Sequence, residues 1–318
     1  MGGSYPVYVP GNNFHIFQYI LIFMLENADS LESALEQLCG AGIRVKKRQS
    51  VSGGDINRAF LITLSSGDKF FLKENHGDLL PMFSSESEGL LALGSVGGGA
   101  PPVPRPLAWG RDGENSFLLM DVVNPGKLDS GEKFGASLAM LHRTGRSEFC
   151  GFQVENRIGS TLQNNKQMQS WHDFFGEQRL GFQWKLAREK GYGNSSDDRA
   201  MASLLRRLMD ILPEPEEGHP SLLHGDLWGG NWMAGDDGRG WLIDPAVYFG
   251  HREADIAMTE LFGGFPRGFR TGYENIWPLE PGFSERRDLY NLYHLLNHLN
   301  LFGSSYLDGV ISTIYRYS

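Results

Sequence analysis

Apolar and polar positions along this chain follow two different periods, and the change of period divides it near residues 122–127. In the first third, short β-rich runs at 45–51, 57–64 and 69–74 are separated by Ser52-Gly53-Gly54-Asp55 and Ser65-Ser66-Gly67-Asp68. Ser-Gly-Asp turns between such runs predict hairpins. A helix is expected over 80–93. The run Gly97-Gly98-Gly99-Ala100-Pro101-Pro102-Val103-Pro104 fits neither a helix nor a central strand. Strands should follow at 107–109 and 116–122. Ahead of all these, the stretch from Leu25 to Glu32 reads as an amphipathic helix start, with Asp29 or Ser30 as N-cap. Beyond Asn124-Pro125-Gly126 the spacing turns helical: Phe134, Leu138, Leu141 and His142 mark one helix, with others at 171–189, 200–211 and 286–300. The pattern predicts an α+β, bilobal architecture: a small antiparallel β-sheet lobe with one inserted helix over 24–122, and a larger, mainly helical lobe over 123–318.

Composition narrows the class. A chain of 318 residues with 41% hydrophobic content can build a sizeable core. A net charge of −9 argues against nucleic acid, whose phosphates need clustered Lys and Arg, and tolerates cationic ligands. Cys39 and Cys150 lie far apart and outside any Cys-x-x-Cys pair, so no zinc site or disulfide framework is legible. Buried thiols in a reducing cytoplasm are expected. Residues 14–25 are almost wholly apolar, yet no Lys or Arg precedes Arg44, and the run is too short for a membrane helix. Neither a signal peptide nor a membrane span is expected. An upstream extension before a start at Met24 is a third reading, and residues 1–23 are set aside as uninformative.

The chemistry gathers in one stretch. Phosphoryl transfer needs a positioned hydroxyl, a carboxylate to take its proton, and a divalent cation held between protein oxygens and phosphates. His224-Gly225-Asp226, with Asn231 five residues on, has the spacing of a kinase catalytic loop, and Asp244 ends the apolar Trp241-Leu242-Ile243 as a second metal-binding Asp should. Asp237-Gly238 predicts a two-residue type I′ turn. Cross-strand partners would then pair Asp236 with Arg239, Ala234 with Trp241, and Asn231 with Asp244. The two expected Mg²⁺ ligands, Asn231 and Asp244, would sit side by side, because paired residues have Cβ atoms about 5 Å apart. His224 is expected to orient the loop and not to move protons.

The nucleotide side is written more lightly. Gly53, Gly54, Asp55 and Asn57 lie in or beside a glycine turn whose N–H groups can cover phosphates, although a plain hairpin turn reads equally well. Phe70-Phe71-Leu72-Lys73 is an apolar strand delivering one lysine, as in a phosphate-contacting strand. Glu86 or Glu88 on the following helix should pair with it, and Glu86 is preferred. Leu119-Met120-Asp121-Val122 would connect the lobes, with the backbone near Met120 and Val122 reading adenine, unless it is only an edge strand. No Gly-x-x-x-x-Gly-Lys-Ser/Thr occurs, which disfavours a P-loop kinase.

Leu223-His224-Gly225-Asp226-Leu227-Trp228-Gly229-Gly230-Asn231, followed by Ile243-Asp244-Pro245-Ala246-Val247-Tyr248-Phe249-Gly250-His251-Arg252-Glu253-Ala254-Asp255, resembles the fructosamine kinase (ketosamine 3-kinase) family. The likeness extends over nearly everything after Met24. It implies a protein-kinase-like fold and ATP-dependent phosphorylation of the 3-hydroxyl of ketosamines, the sugar adducts of amines and lysine side chains, which promotes deglycation. Carried over, it implies Asp226 as base, Asn231 and Asp244 as Mg²⁺ ligands, Lys73 as phosphate clamp and Glu86 as its partner. Asp255 would fix the catalytic loop. Trp228 would either stack on the sugar or pack under that loop. Gly229 stands where a small polar residue, usually Ser, is expected, and Asp55 stands in the region where some members carry a cysteine, so no redox switch is expected there. Two alternatives stay open: a kinase of another small hydroxylated amine, such as an aminoglycoside or choline, and a nucleotide-binding pseudokinase. The second would be expected to lack Lys73, Asp226 or Asp244, and all three are present.

Overall fold

The computed structural model describes residues 24–51 and 57–318. Its first part is a six-stranded sheet built from β1 (Leu25–Ala28), β2 (Val45–Val51), β3 (Arg58–Leu64), β4 (Lys69–His76), β5 (Pro106–Asp112) and β6 (Asn115–Met120), in the order β1-β5-β6-β4-β3-β2. All neighbours are antiparallel except β1, which runs parallel to β5 at the edge. The segment expected to open a helix is therefore a strand up to Ala28. Pairing with β5 satisfies its backbone, and α1 (Leu31–Cys39) begins only after Ser30, whose hydroxyl accepts the Ser33 N–H at 3.0 Å.

The two faces of the sheet are covered by different helices, and the period of two decides which side chain meets which. Leu72, Phe117 and Leu119 point to α1, packing with Leu31, Ala34 and Leu35. Their neighbours Phe71, Leu118 and Met120 point to the other face, against Met82, Phe83 and Leu90 of α2 (Leu80–Ser95). Lys73 follows Leu72 and so is carried to the α2 side. Strand β6 stops at Met120, short of the expected 122: the Asp121 N–H donates to Arg105 O at 3.0 Å, and its carboxylate pairs with the Arg105 guanidinium.

The remainder is mainly helical. Helix α3 (Gly131–Thr144) packs on α8 (Phe269–Ile276), while α7 (Glu253–Leu261) and α10 (Leu307–Tyr317) pack on the long α9 (Phe283–Phe302); α6 (Ser195–Ile211) meets α10. The helix expected over 171–189 is continuous, but in three pieces: α4 (Trp171–Phe174), a π-helical segment Phe175–Gly181, and α5 (Phe182–Glu189). Leu138, Trp171, Phe174, Leu204, Tyr248, Ile256 and Leu296 share one buried core. Each such side chain is worth about 1.5–3 kcal/mol of burial.

Three short strand pairs lie in this helical part, and two of them bring the residues singled out above to one place. β9 (Ser221–Leu223) pairs antiparallel with β12 (Tyr248–Gly250), and β10 (Trp232–Ala234) with β11 (Gly240–Leu242). A further hairpin, β7 (Asn156–Ile158) with β8 (Thr161–Gln163), lies behind them. Among the described residues no helix is long and apolar enough to cross a membrane.

Candidate active site

Strand β9 runs straight into His224-Gly225-Asp226, and the turn that follows is fastened from beneath by one buried carboxylate. Asp255, on the first turn of α7, accepts the N–H of His224 at 2.7 Å and that of Gly225 at 2.9 Å. Gly225 has φ +82°, and a Cβ there would lie 2.0 Å from the Ala246 carbonyl oxygen, so only glycine fits. His142 stands 3.2 Å from the same carboxylate and 2.8 Å from the Tyr273 hydroxyl. Burial pushes the Asp255 carboxyl up, but His142 and these backbone bonds outweigh it and hold the group below its ordinary range.

His224 ties the two halves of the site together. Its Nδ1 accepts the Asp226 N–H at 3.3 Å, so its Nε2 carries the proton and donates to the Ile243 carbonyl at 2.9 Å. Burial pushes its pKa down, so the ring stays neutral. Asn231 then closes the loop: its Nδ2 donates to the Asp226 carbonyl at 2.8 Å and to Asp226 Oδ2 at 3.0 Å. Burial lifts the Asp226 carboxyl to about 7; the Asn231 hydrogen bond opposes the rise, and the charges of Asp244 and Asp255 add to it.

The hairpin between Asn231 and Asp244 differs from expectation by one residue. Ala234 pairs with Gly240 and Met233 with Trp241, so Ala234 does not face Trp241; Asp236 lies in the loop, and Arg239 faces Gly235, whose N–H donates to the Arg239 carbonyl at 2.9 Å. The turn is Gly235-Asp236-Asp237-Gly238, closed by Gly238 N–H to Gly235 O at 3.1 Å. Gly238 alone has positive φ, at +78°. That is a three-residue loop with a bulge at the glycine, which places the extra residue on one strand. Asn231 consequently bonds Ile243, whose N–H donates to Asn231 O at 3.0 Å, and Asp244 lies one residue beyond the pair. Asp244 takes φ +54°, uncommon for a non-glycine residue, as the chain turns out of the hairpin.

From there Asp244 reaches the sheet. Lys73 Nζ lies 2.5 Å from Asp244 Oδ1 and 2.5 Å from Glu86 Oε1, while Glu88 is turned toward Gln153. Burial would lower the Lys73 pKa, but the two carboxylates outweigh it and the ammonium stays charged. Burial lifts Glu86; Lys73 opposes that and Asp244 adds to it. One ammonium thus serves two acids, with Asp226 nearby, so the centre has spare negative charge and hard oxygen donors. Among the described residues no three His, Cys, Asp or Glu side chains gather to hold a metal by themselves. The set Asn231 and Asp244 instead suits Mg²⁺, which keeps phosphate and water among its ligands.

Trp228 is exposed at 40% and lies on the outer side of the loop, its ring against Gly230. Met120 is buried at the end of β6, two residues from the position that pairs with Lys73, and Val122 is half-buried just past it. Gly53, Gly54 and Asp55 lie outside the described residues. Asn57 is described, and its Oδ1 accepts the Asn75 Nδ2 at 2.8 Å.

Several site residues carried no readable signal. His294 of α9 is buried with Nδ1 4.0 Å from Asp226 Oδ1, and no hydrogen-bond partner is found for that nitrogen among the described residues. Asn156 and Gln163 bond the carbonyls of Val247 and Ala246 at 2.8 and 3.0 Å, holding the segment just after Asp244-Pro245. Tyr293 donates to Gln163 Oε1 at 2.6 Å. A buried His or Gln on an apolar face looks in sequence like any satisfied core residue.

The family model described as fructosamine kinase matches residues 28–317. The chain belongs to the fructosamine kinase family. It is 40% identical over 279 residues to a protein of Synechocystis sp. named as a probable ketoamine kinase, covering 87% of this chain and 92% of that one. It is 38% identical over 280 residues to the chloroplastic protein-ribulosamine 3-kinase of Arabidopsis thaliana, covering 87% and 84%. A crystal structure from Haemophilus somnus assigned as a fructosamine-3-kinase superposes with a TM-score of 0.79 at 31% identity, over 91% of this chain and 96% of that one. An ADP-bound aminoglycoside phosphotransferase shares the fold alone, with a TM-score of 0.58 at 12% identity over 89% and 95%. The fructosamine kinase family is one of phosphotransferases, so ATP is the expected donor, and the kinase-like α+β fold agrees with both structures.

Proposed function

We propose that this protein transfers the γ-phosphoryl group of ATP to the 3-hydroxyl of ketosamines, including the ribulosamine and fructosamine adducts of lysine. The observation that carries the reading is the convergence on Asp244. It touches the buried Lys73–Glu86 pair on one side, and on the other it follows the hairpin that fixes Asn231 and, through Asn231, Asp226. Lys73 holds the donor's phosphates, with Glu86 setting its position. Asp226 accepts the proton of the acceptor hydroxyl as that oxygen bonds to the γ-phosphorus; the bond from phosphorus to the β,γ-bridging oxygen breaks, and ADP leaves with its electrons. Asn231 and Asp244 would hold Mg²⁺, which supplies charge neutralisation on the phosphates. Asp255 and His224 keep the loop in register, and Trp228 offers an exposed ring to the sugar. The backbone around Met120 and Val122 receives the base. A cytoplasmic setting belongs to the same proposal, and the two free cysteines support it.

The test is ATP consumption with ribulose-lysine, erythrulose-lysine and fructose-lysine adducts, beside an aminoglycoside and choline. Turnover confined to the ketosamines is expected. Turnover only of the aminoglycoside or choline would contradict the proposal.

A further inference from the structure

An aromatic stripe leads from beside Asp226 to the surface, buried at its inner end and exposed at Phe262 and Phe302, and nothing in the phosphoryl-transfer chemistry uses it. It starts at buried His294, 4.0 Å from Asp226, and follows one face of α9 at a spacing of four residues through His298 to Phe302. The His298 ring lies 5.3 Å from that of Phe302, 4.9 Å from Phe262 and 5.2 Å from Tyr306, all centroid to centroid. Phe262 and Phe302 are 43% and 56% exposed, and α7 ends just before Phe262. The loop that carries Trp228 meets the segment that carries Phe262: a Cβ on Gly229, next to Trp228, would lie 2.6 Å from the carbonyl oxygen of Gly263, next to Phe262. Apolar rings grouped at the surface beside a reaction centre suit a binding surface.

We propose that this stripe is the carrier subsite, taking the alkylamine arm and flanking residues of a lysine-bound ketosamine while its sugar sits at Asp226. This rests on the ketosamine reading above and extends it to the part of the acceptor that does not react. Length supports it. From His294 to Phe302 the helix rises about 12 Å, eight residues at about 1.5 Å each. Nine bonds separate the sugar's 3-oxygen from the lysine Cα, and extended they span about 11 Å. The arm therefore ends near Phe302, where the peptide can leave into solvent. Chemistry supports it too. The adduct nitrogen is a secondary ammonium at neutral pH, and aromatic faces such as those of Trp228 and Phe262 attract such cations, while the methylenes gain by covering apolar ring surface.

The experiment compares kcat/KM for two ribulosamine acceptors, a blocked lysyl peptide adduct and a methylamine adduct, in the wild-type chain, Phe262→Ala and Phe302→Ala. Both positions are exposed, so the variants should fold, and circular dichroism with a thermal melt checks this. The ratio of kcat/KM for the peptide over the methylamine adduct should fall about tenfold, the loss of contact with about two methylenes, carried mainly by KM. A ratio within about twofold of wild type in both variants overturns the inference and leaves the ketosamine reading standing. Failure of the wild-type chain to phosphorylate either acceptor overturns both. If the variants instead turn a dimer into a monomer at unchanged ratio, the stripe is an interface between copies of this chain, and the carrier subsite is refuted.

Discussion

In the proposed reaction Asp226 is the base, and its surroundings set the pH at which it can act. Its carboxyl, lifted to about 7 by burial, is poised to take a proton near neutrality, which is where a general base is most effective. The sign follows from the shift: a raised acid is protonated and inactive below its pKa and available above it. For the free enzyme, kcat/KM should therefore rise with pH with an inflection near 7, displaced downward to the extent that a bound cation offsets the charge of Asp244. A steady-state pH profile between 5.5 and 9 checks this, and a flat one would remove Asp226 from the base role. At this scale the sequence was informative about groups with fixed spacing, namely Lys73, Asp226, Asn231 and Asp244. It was silent about His294 and His142, which reach the site from helices distant in the chain and sit on otherwise apolar faces.

Elements were legible where a single period ruled and where backbone pairing was local. Strand β2 occupies the residues expected, and the helical stretch 171–189 does too, although its π-helical middle was not foreseen. That segment carries Arg179 fully inside, with its guanidinium 4.1 Å from the Tyr248 ring and donating to Asn165 Oδ1 at 2.7 Å. Helices α8 and α9 each follow a glycine in the left-handed region, Gly268 and Gly282, in place of a capping side chain. No Ser, Thr, Asp or Asn announces either start, and α8 went unread. The hairpin register went wrong for a related reason, since Asp-Gly suits both a two-residue turn and a three-residue loop with a glycine bulge. The slip matters less than it would in an open sheet, because Asp244 is re-aimed by its own positive φ, and the carbonyls of Ala246 and Val247 just after it are held by Gln163 and Asn156.

That support is itself testable. Gln163→Leu keeps the volume but leaves the Ala246 carbonyl and the Tyr293 hydroxyl unpaired in the core, at a cost of about 1–3 kcal/mol each. Urea unfolding should show the lost stability. KM for ATP should rise more than KM for the sugar, because the loosened segment carries Asp244. Equal effects on both substrates would place the network outside the nucleotide site.

Over the whole molecule, buried neutral histidines set the response to acid. Burial pushes His142, His224 and His251 down, and His294 to about 3. The unfolded chain binds protons at these positions below about 6.5, where the folded chain does not, so their contribution is complete above that pH and is lost as pH falls. Asp226 and Glu86, raised in the fold, oppose this but are fewer. Stability should therefore rise with pH between about 4.5 and 6.5, and His294→Asn should flatten the slope by about one proton, or about 1.4 kcal/mol per pH unit. Denaturant midpoints across that range measure it, and an unaltered slope in the variant would show that His294 titrates normally in the fold. The order of a sheet followed by helices was readable from the change of hydrophobic period. What the periods did not convey is that, among the described residues, Asp244 bridges from the helical part to the Lys73–Glu86 pair.

The central claim is that Asp226 takes the proton from one particular sugar hydroxyl as that oxygen receives the γ-phosphoryl group of ATP. The most direct test is to incubate wild-type and Asp226→Asn proteins with Mg²⁺, ATP and ribulose-lysine and to locate the product phosphate by phosphorus and proton NMR. A 3-phosphate from the wild type, with turnover abolished in Asp226→Asn while ATP still binds, is the predicted result. Phosphate at another oxygen, or a variant with near-native kcat, would contradict it.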